Sequence, residues 1–240
     1  MVKETKTGSA GIEIRGLVKR YHFQPVLDEL TLSIKDGALC VLVGANGAGK
    51  TTLLRILAGF IRPDQGEIRV GGLFMNAGAH LRRRLGYIGH QAMFYHDLTA
   101  VENLQHYAHL YQLVDAKKKV QSSILSVDLI KHQNKPVRTY SRGMQQRLSI
   151  ARALLHDPDI LLFDEPYTGL DQEAALFLDE RLKHLHQPGR TILLAAHRPQ
   201  RLLSIASHIA WLQDGSISLH LPVTQLSESP ELQNVIRETV

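Results

Sequence analysis

The run Gly44-Ala45-Asn46-Gly47-Ala48-Gly49-Lys50-Thr51 restricts what this chain can fold into more than any other feature. It follows the pattern G-x-x-x-x-G-K-S/T, with the apolar segment Leu39–Val43 before it and a helical segment, Thr51–Ala58, after it. Closely spaced glycines let a backbone wrap until successive amides point inward at phosphate oxygens. Lys50 then supplies a point charge for the outer phosphates of a nucleotide, and Thr51 a hydroxyl for Mg2+. A helix opening near Lys50 turns its positive end toward the same anion. Average residue usage would produce the pattern in a chain of this length about 1% of the time. With strand and helix on either side, chance is a poor account of it.

Around this unit, short branched runs bounded by Gly, Asp or Pro predict strands at Ile12–Arg15, Leu30–Ile34, Gly66–Val70 and Leu85–Gly89. From Thr99 the period changes: Val101, Leu104, Tyr107, Ala108 and Tyr111 follow helical spacing. Further helices are expected over Ala116–Leu129 and Ser141–Leu155, the second with Ser141 as its N-cap. Then come a buried strand (Ile160–Phe163), a helix (Gln172–His186), a strand (Thr191–Ala196), a helix near Pro199–Ser207, and a hairpin, Ile209–Leu221, turning at Asp214–Gly215. Strands alternating with helices imply parallel βαβ units. The helical block from about 92 to 155 reads as a subdomain inserted into an α/β core, and about 222 to 240 as a C-terminal tail. One domain over 1–240 is expected.

At 240 residues, 44% hydrophobic and 21% charged, the chain can bury a substantial core without disulfides. Its single cysteine, Cys40, excludes an internal disulfide framework and a cysteine-based zinc cluster, and lies where a buried thiol is expected. No apolar stretch approaches the roughly 18 residues needed to cross a bilayer, and Met1 to Gly11 lacks the apolar region of a secretory signal. The sequence reads as one made and kept in the cytoplasm. The net charge of +5 invites a nucleic-acid reading. The basic clusters Arg82–Arg84 and Lys117–Lys119, however, are short, separate and free of interleaved aromatics. They are expected to be solvated faces, with no nucleic-acid partner.

A second chemical feature closes the strand at Ile160–Phe163: the pair Asp164 and Glu165. At the end of a parallel strand beside a phosphate loop, Asp164 would hold magnesium through its water shell. Glu165, one step on, would reach an attacking water as general base. Hydrolysis needs both a neutralised charge and an oriented nucleophile, and paired acids suit that task.

With these features the chain resembles the ATPase domain of ATP-binding-cassette (ABC) transporters over nearly its full length. Further segments fall in that family's order. Tyr21, in Lys19-Arg20-Tyr21, matches the aromatic that stacks on adenine. Gln91 matches the glutamine that touches the metal and senses the membrane partner. Tyr140-Ser141-Arg142-Gly143-Met144 matches the signature usually written LSGGQ; Ser141 and Gly143 remain, while Tyr140, Arg142 and Met144 depart from it. Thr168-Gly169-Leu170-Asp171 matches the D-loop, usually SALD, with its last two residues intact. His197, after a buried strand, matches the switch histidine that contacts the γ-phosphate.

The resemblance implies an α/β P-loop NTPase of the ABC type. Its parts are a mostly parallel core sheet, an N-terminal antiparallel β-subdomain and an inserted α-helical subdomain. It implies ATP and Mg2+. ATP would be held by Tyr21, Gly44, Ala45, Asn46, Gly47, Ala48, Gly49, Lys50, Thr51, Thr52 and Gln91, and the metal by Thr51, Gln91 and Asp164. Glu165 and His197 would be catalytic. Ser141, Arg142, Gly143 and Met144 would serve the ATP of a second copy, with Asp171 in the D-loop. A homodimer is therefore expected, working with integral-membrane subunits as a peripheral protein on the cytoplasmic face of the cell membrane.

The segments Asp164–Asp171 and Leu98–Leu104, the latter with His90 upstream, look like the haem-exporter ATPases of cytochrome c maturation. The Tyr-Ser-Arg-Gly-Met signature also resembles drug, lipid and polysaccharide exporter ATPases. The 13 histidines carry no weight toward haem, because they are scattered without ligand spacing. Two other classes stay open: a soluble ABC-type ATPase acting on nucleic acid or ribosomes, and a regulatory module that binds ATP without turnover.

Overall fold

The computed structural model describes residues 10–89 and 93–228. The described chain opens with a hairpin of β1 (Ala10–Tyr21) and β2 (Gln24–Lys35). Each strand runs for 12 residues, far beyond the predicted Ile12–Arg15 and Leu30–Ile34. Gly16 and Glu29 take left-handed backbone (φ 58° and 46°), and the pairing register shifts between Ile14 and Leu17. Such bulges interrupt the period-two signal without ending the strand. β1 also pairs with β4 (Gln65–Val70), and the short β5 (Leu73–Phe74) extends β4. The result is an antiparallel sheet in the order β2-β1-β4-β5.

A second sheet contains β3 (Leu39–Val43), β6 (Leu85–Ile88), β7 (Ile160–Asp164), β8 (Thr191–Ala195), β9 (His208–Gln213) and β10 (Ser216–Pro222). Its order is β10-β9-β3-β8-β7-β6, parallel throughout except for the edge strand β10. Every residue of β3, β7 and β8 is buried, as parallel strands covered on both faces require. Alternate side chains feed two cores. Leu39, Val41, Val43, Leu161 and Phe163 pack toward the helical block. Cys40, Leu42, Ile160 and Leu162 pack with α1 (Lys50–Leu57) and the antiparallel sheet. Burying each large apolar side chain contributes ~1.5–3 kcal/mol, so these short strands anchor both layers. Burial pushes the Cys40 thiol up to about 12, which leaves it an inert core group.

After a single turn, α2 (Ala79–Arg82), the helical block supplies α3 (Ala100–Leu110), α4 (Ala116–Ser126) and α5 (Arg142–Leu154). Thr99 and Glu102 form a reciprocal capping box on α3: the Glu102 amide donates to Thr99 Oγ1 at 3.2 Å and the Thr99 amide to Glu102 Oε2 at 2.8 Å. α4 stops short of Leu129, because Asp128 turns left-handed (φ 56°) and Val127 and Leu129 drop into the core. The helix expected near Pro199–Ser207 is one 3-10 turn, Gln200–Leu202. Ser207 explains the loss. Its amide donates to Leu39 O at 2.9 Å and its hydroxyl accepts from the Leu39 amide at 3.0 Å, which pulls the chain into strand register early. α6 (Gln172–Leu185) lies between β7 and β8 in sequence. The expected tail begins with a 3-10 segment, Val223–Glu228; its remainder lies outside the described residues. Among the described residues, no helix is long and apolar enough to cross a membrane.

Candidate nucleotide site

In parallel sheets, active-site groups collect at the carboxyl ends of the strands. Here the ends of β3, β8 and β7 carry the 44–49 loop, His197 and the Asp164–Glu165 pair respectively. The loop leads into α1 through Gly49, whose φ is 105°. A β-carbon at Gly49 would stand 2.8 Å from Leu27 Cδ2 and 2.9 Å from Val26 O, so β2 closes down on the loop and only glycine fits.

Lys50 is 4% exposed. Its ammonium donates to Gly44 O at 2.7 Å and Ala45 O at 2.9 Å, and stands 3.9 Å from Glu165 Oε1. Burial lowers its pKa, while Glu165 and Asp164 hold it up. Thr51 Oγ1 donates to Asp164 Oδ1 at 2.8 Å, and the Tyr87 hydroxyl donates to Oδ2 at 3.2 Å. Burial raises the Asp164 pKa, and these two donors oppose it. Burial and the Asp164 charge together push Tyr87 up to about 12, so it stays a donor. A hydroxyl beside a buried carboxylate is a hard oxygen set. Mg2+ typically takes one or two such protein ligands and completes its shell with water and phosphate. Thr51 and Asp164 therefore fit the ion.

Glu165 is itself left-handed (φ 50°), an uncommon state for a residue with a side chain. Its amide donates to Ala195 O at 3.0 Å, and the Thr168 amide in turn donates to Glu165 O at 3.2 Å. It lines a cleft of about 460 Å³ with Asn46, Thr168, Gly169, Ala196 and His197. His197 Nδ1 is buried and, among the described residues, has no hydrogen-bond partner. Leaving such an atom unpaired costs about 1–3 kcal/mol, and a catalytic role is one of the reasons a protein keeps one.

The signature residues lie elsewhere. Ser141 caps α5, its Oγ accepting from the Met144 amide at 3.3 Å, and Asp171 caps α6 by accepting from the Ala174 amide at 2.8 Å. Ser141, Gly143, Met144 and Asp171 line a second cavity of about 240 Å³ that shares no residue with the first. Tyr140, one departure from the usual signature, is buried and donates its hydroxyl to His132 O at 2.8 Å, so it replaces a core leucine. Thr52 sits in the first turn of α1. Gln91 lies outside the described residues.

Tyr21, at the end of β1, is 42% exposed, with Lys19 Nζ 5.5 Å from its ring centroid. Its ring is thus open to a flat ligand. Tyr21→Ala should raise the KM for ATP about 5- to 150-fold, the equivalent of 1–3 kcal/mol of base stacking, and Tyr21→Trp should not. Equal steady-state KM values for the two variants would remove Tyr21 from the site.

Sequence reasoning passed over Tyr87 and Asn103. Tyr87 reaches Asp164 only because β6 pairs with β7 in the register Tyr87↔Leu162. No local pattern announces that pairing across 77 positions. Asn103 is fully buried; it donates to Tyr95 O at 3.0 Å and Thr99 O at 2.9 Å and accepts from the Tyr95 amide at 2.9 Å. It thereby pins the segment before α3 to the helical block.

The family model for the ABC transporter matches residues 27–168, more than half of the chain. The Nod factor export ATP-binding protein I of Ralstonia nicotianae is 37% identical over 85% of this chain and 64% of its own length, so this chain spans just under two thirds of that relative. The ABC transporter ATP-binding protein NatA of Bacillus subtilis is 33% identical over 86% of each chain. The bacitracin transport ATP-binding protein BcrA of Bacillus licheniformis is 34% identical over 90% of this chain and 71% of its own. Among solved structures, a dimeric post-hydrolysis state of an ATP-binding cassette bound to ADP and Pi superposes with a TM-score of 0.80. It has 26% identity and covers 88% of this chain and 98% of that one. An ATP-binding subunit of an ABC transporter superposes with a TM-score of 0.85 at the same 26% identity, covering 96% and 99%. The chain belongs to the ABC transporter family, and it is an ATP-binding, ATP-hydrolysing cassette built on that family's fold.

Proposed function

We propose that two copies of this chain hydrolyse ATP between them and thereby drive export through integral-membrane subunits, on the cytoplasmic face of the membrane. The observation that carries this reading is the convergence of Lys50, Thr51, Asp164, Glu165 and His197 from the ends of three strands. Lys50 takes the outer phosphates as a point charge. Thr51 and Asp164 hold Mg2+, which neutralises phosphate charge, with Gln91 as a further ligand. Water attacks the γ-phosphorus, the bond to the bridging oxygen breaks, and Glu165 accepts the water's proton. His197 steadies the γ-phosphate, and Tyr21 stacks on the base.

The two cavities give the physical reason for a dimer. Charge developing on the γ-phosphate needs donors on both sides, and the phosphate loop covers one. The Ser141 end of α5 is a helix N-terminus, suited to an anion, yet it opens into a cavity separate from the Glu165 cleft. The signature of a second copy supplies the missing side.

Names of Nod factor export and bacitracin transport among the relatives favour a drug, lipid or polysaccharide substrate. None of the relatives named above speaks of haem, and the haem reading has only the two sequence segments behind it. Mixing Lys50→Ala with Ser141→Arg chains tests the shared site. Each variant alone should be nearly inactive, and the mixture should regain one complete site per heterodimer. Full ATPase activity of Ser141→Arg by itself would sink the shared-site reading. Purification from the native membrane should bring a multi-span partner, with ATPase stimulated by drugs, lipids or saccharides. Stimulation by haem in their place would reverse the substrate assignment.

A further inference from the structure

The loop from Glu165 to Asp171 is a wall between the two cavities: Gly169 lines the Glu165 cleft, and Asp171 lines the Ser141 cavity. From the α6 side it is gripped by Tyr167, whose hydroxyl donates to Asp179 Oδ1 at 2.6 Å, while Arg201 holds Asp179 Oδ2 at 3.2 Å. From the α5 side it meets Arg142. A β-carbon at Gly169 would stand 2.6 Å from Arg142 Cζ and 2.7 Å from both Nε and Nη1, so the guanidinium lies flat against the glycine. Gly169 is also left-handed, with φ 72°. Arg142 forms no ion pair or hydrogen bond among the described residues. Its contact with the loop is one of shape, which a planar guanidinium provides and an ammonium does not. The two positions that touch are also two at which the sequence departs from the usual signature and D-loop. Inside the loop, Thr168 bonds to Glu165 through both its amide, at 3.2 Å, and its hydroxyl, at 3.4 Å. A shift of Gly169 therefore reaches Glu165 within one residue.

We propose that Arg142 is a positioning residue for ATP hydrolysis: stacked on the Gly169 turn, it fixes the loop that presents Glu165. This rests on Glu165 acting as general base. The test is steady-state ATPase kinetics of Arg142→Ala, Gly169→Ala, the double variant and Arg142→Lys, with Glu165→Gln alongside. Arg142, unlike Ser141, Gly143 and Met144, does not line the signature cavity, so Arg142→Ala and Gly169→Ala should each lower kcat about tenfold, within the range that misplacing a reacting group produces, and leave KM for ATP unchanged. The double variant should be no worse than the worse single one, because Gly169→Ala already dislodges the guanidinium; such non-additivity marks a contact. Arg142→Lys should behave like Arg142→Ala. Where Tm falls as well, amide hydrogen exchange decides: faster exchange confined to 165–171 supports the proposal, and unchanged exchange there overturns it. Unaltered kcat in Arg142→Ala also overturns it, as does a change in KM alone, strict additivity, or full rescue by lysine. Turnover retained by Glu165→Gln would remove the general-base reading itself. An inactive Glu165→Gln beside a fully active Arg142→Ala would remove only the role of Arg142.

Discussion

Glu165→Gln should bind ATP as well as the unaltered chain and lose at least about 100-fold in kcat, since a positioned general base contributes roughly 10²–10⁴. The amide has the shape of the carboxylate and keeps an oxygen for the Thr168 hydroxyl, now 3.4 Å away. What it cannot do is take a proton from water. Affinity should hold or rise, for an electrostatic reason. Glu165 Oε1 stands 3.9 Å from Lys50 Nζ and competes with incoming phosphates for that ammonium. Neutralising it frees the lysine for the nucleotide. Equilibrium binding with single-turnover hydrolysis separates the two effects. Light scattering should find an ATP-stabilised dimer that no longer resets. Turnover at the unaltered rate would take Glu165 out of the reaction.

The parts of this site that can be read from sequence are those whose chemistry is contiguous. The 44–51 loop packs its phosphate-binding logic into eight successive residues, and Asp164–Glu165 follows an apolar run that announces its strand. The all-buried strands β3, β7 and β8 are legible for the same reason: a strand covered on both faces needs no polar alternation, so an unbroken apolar run marks it. Legibility fails where a contact depends on register or on an exception to periodicity. Tyr87 meets Asp164 only through β6–β7 pairing. The hairpin more than doubles its predicted strand length through bulges at Gly16 and Glu29. Pro199–Ser207 has the composition of a helix, but Ser207 is captured by Leu39 before a second turn can form. Arg142 and Gly169 read singly as departures from two motifs, and only the fold makes them one contact.

Lys50→Ala should reduce ATP hydrolysis at least as severely as Glu165→Gln, but through binding as well as chemistry. In the folded chain the ammonium joins three things: the carbonyls of Gly44 and Ala45, the carboxylate of Glu165, and the phosphates it is poised to meet. Hydrogen bonds to a charged group are worth about 1.5–3 kcal/mol, so losing one to phosphate weakens binding roughly 10- to 150-fold. The alanine also leaves Glu165 facing the triphosphate without the ammonium that stands 3.9 Å from it, which adds repulsion to the lost attraction. The apo fold should survive. Burial works against the charged lysine and offsets part of what its contacts to Gly44 O, Ala45 O and Glu165 contribute, so its removal should cost the apo fold little. Thermal melts with and without ATP therefore isolate the defect. At 100 times its Kd a ligand stabilises the folded state by about 2.7 kcal/mol, and if Kd weakens 100-fold the same concentration supplies only about 0.4 kcal/mol. Lys50→Ala should thus melt near the unaltered chain without nucleotide and fail to rise with it. Lys50→Arg keeps the charge but forces a larger, planar group into a slot where the native side chain is only 4% exposed, so it should also fail, by misfit. A normal ATP-dependent rise in Tm together with unaltered hydrolysis in Lys50→Ala would show that the 44–51 loop does not hold the phosphates.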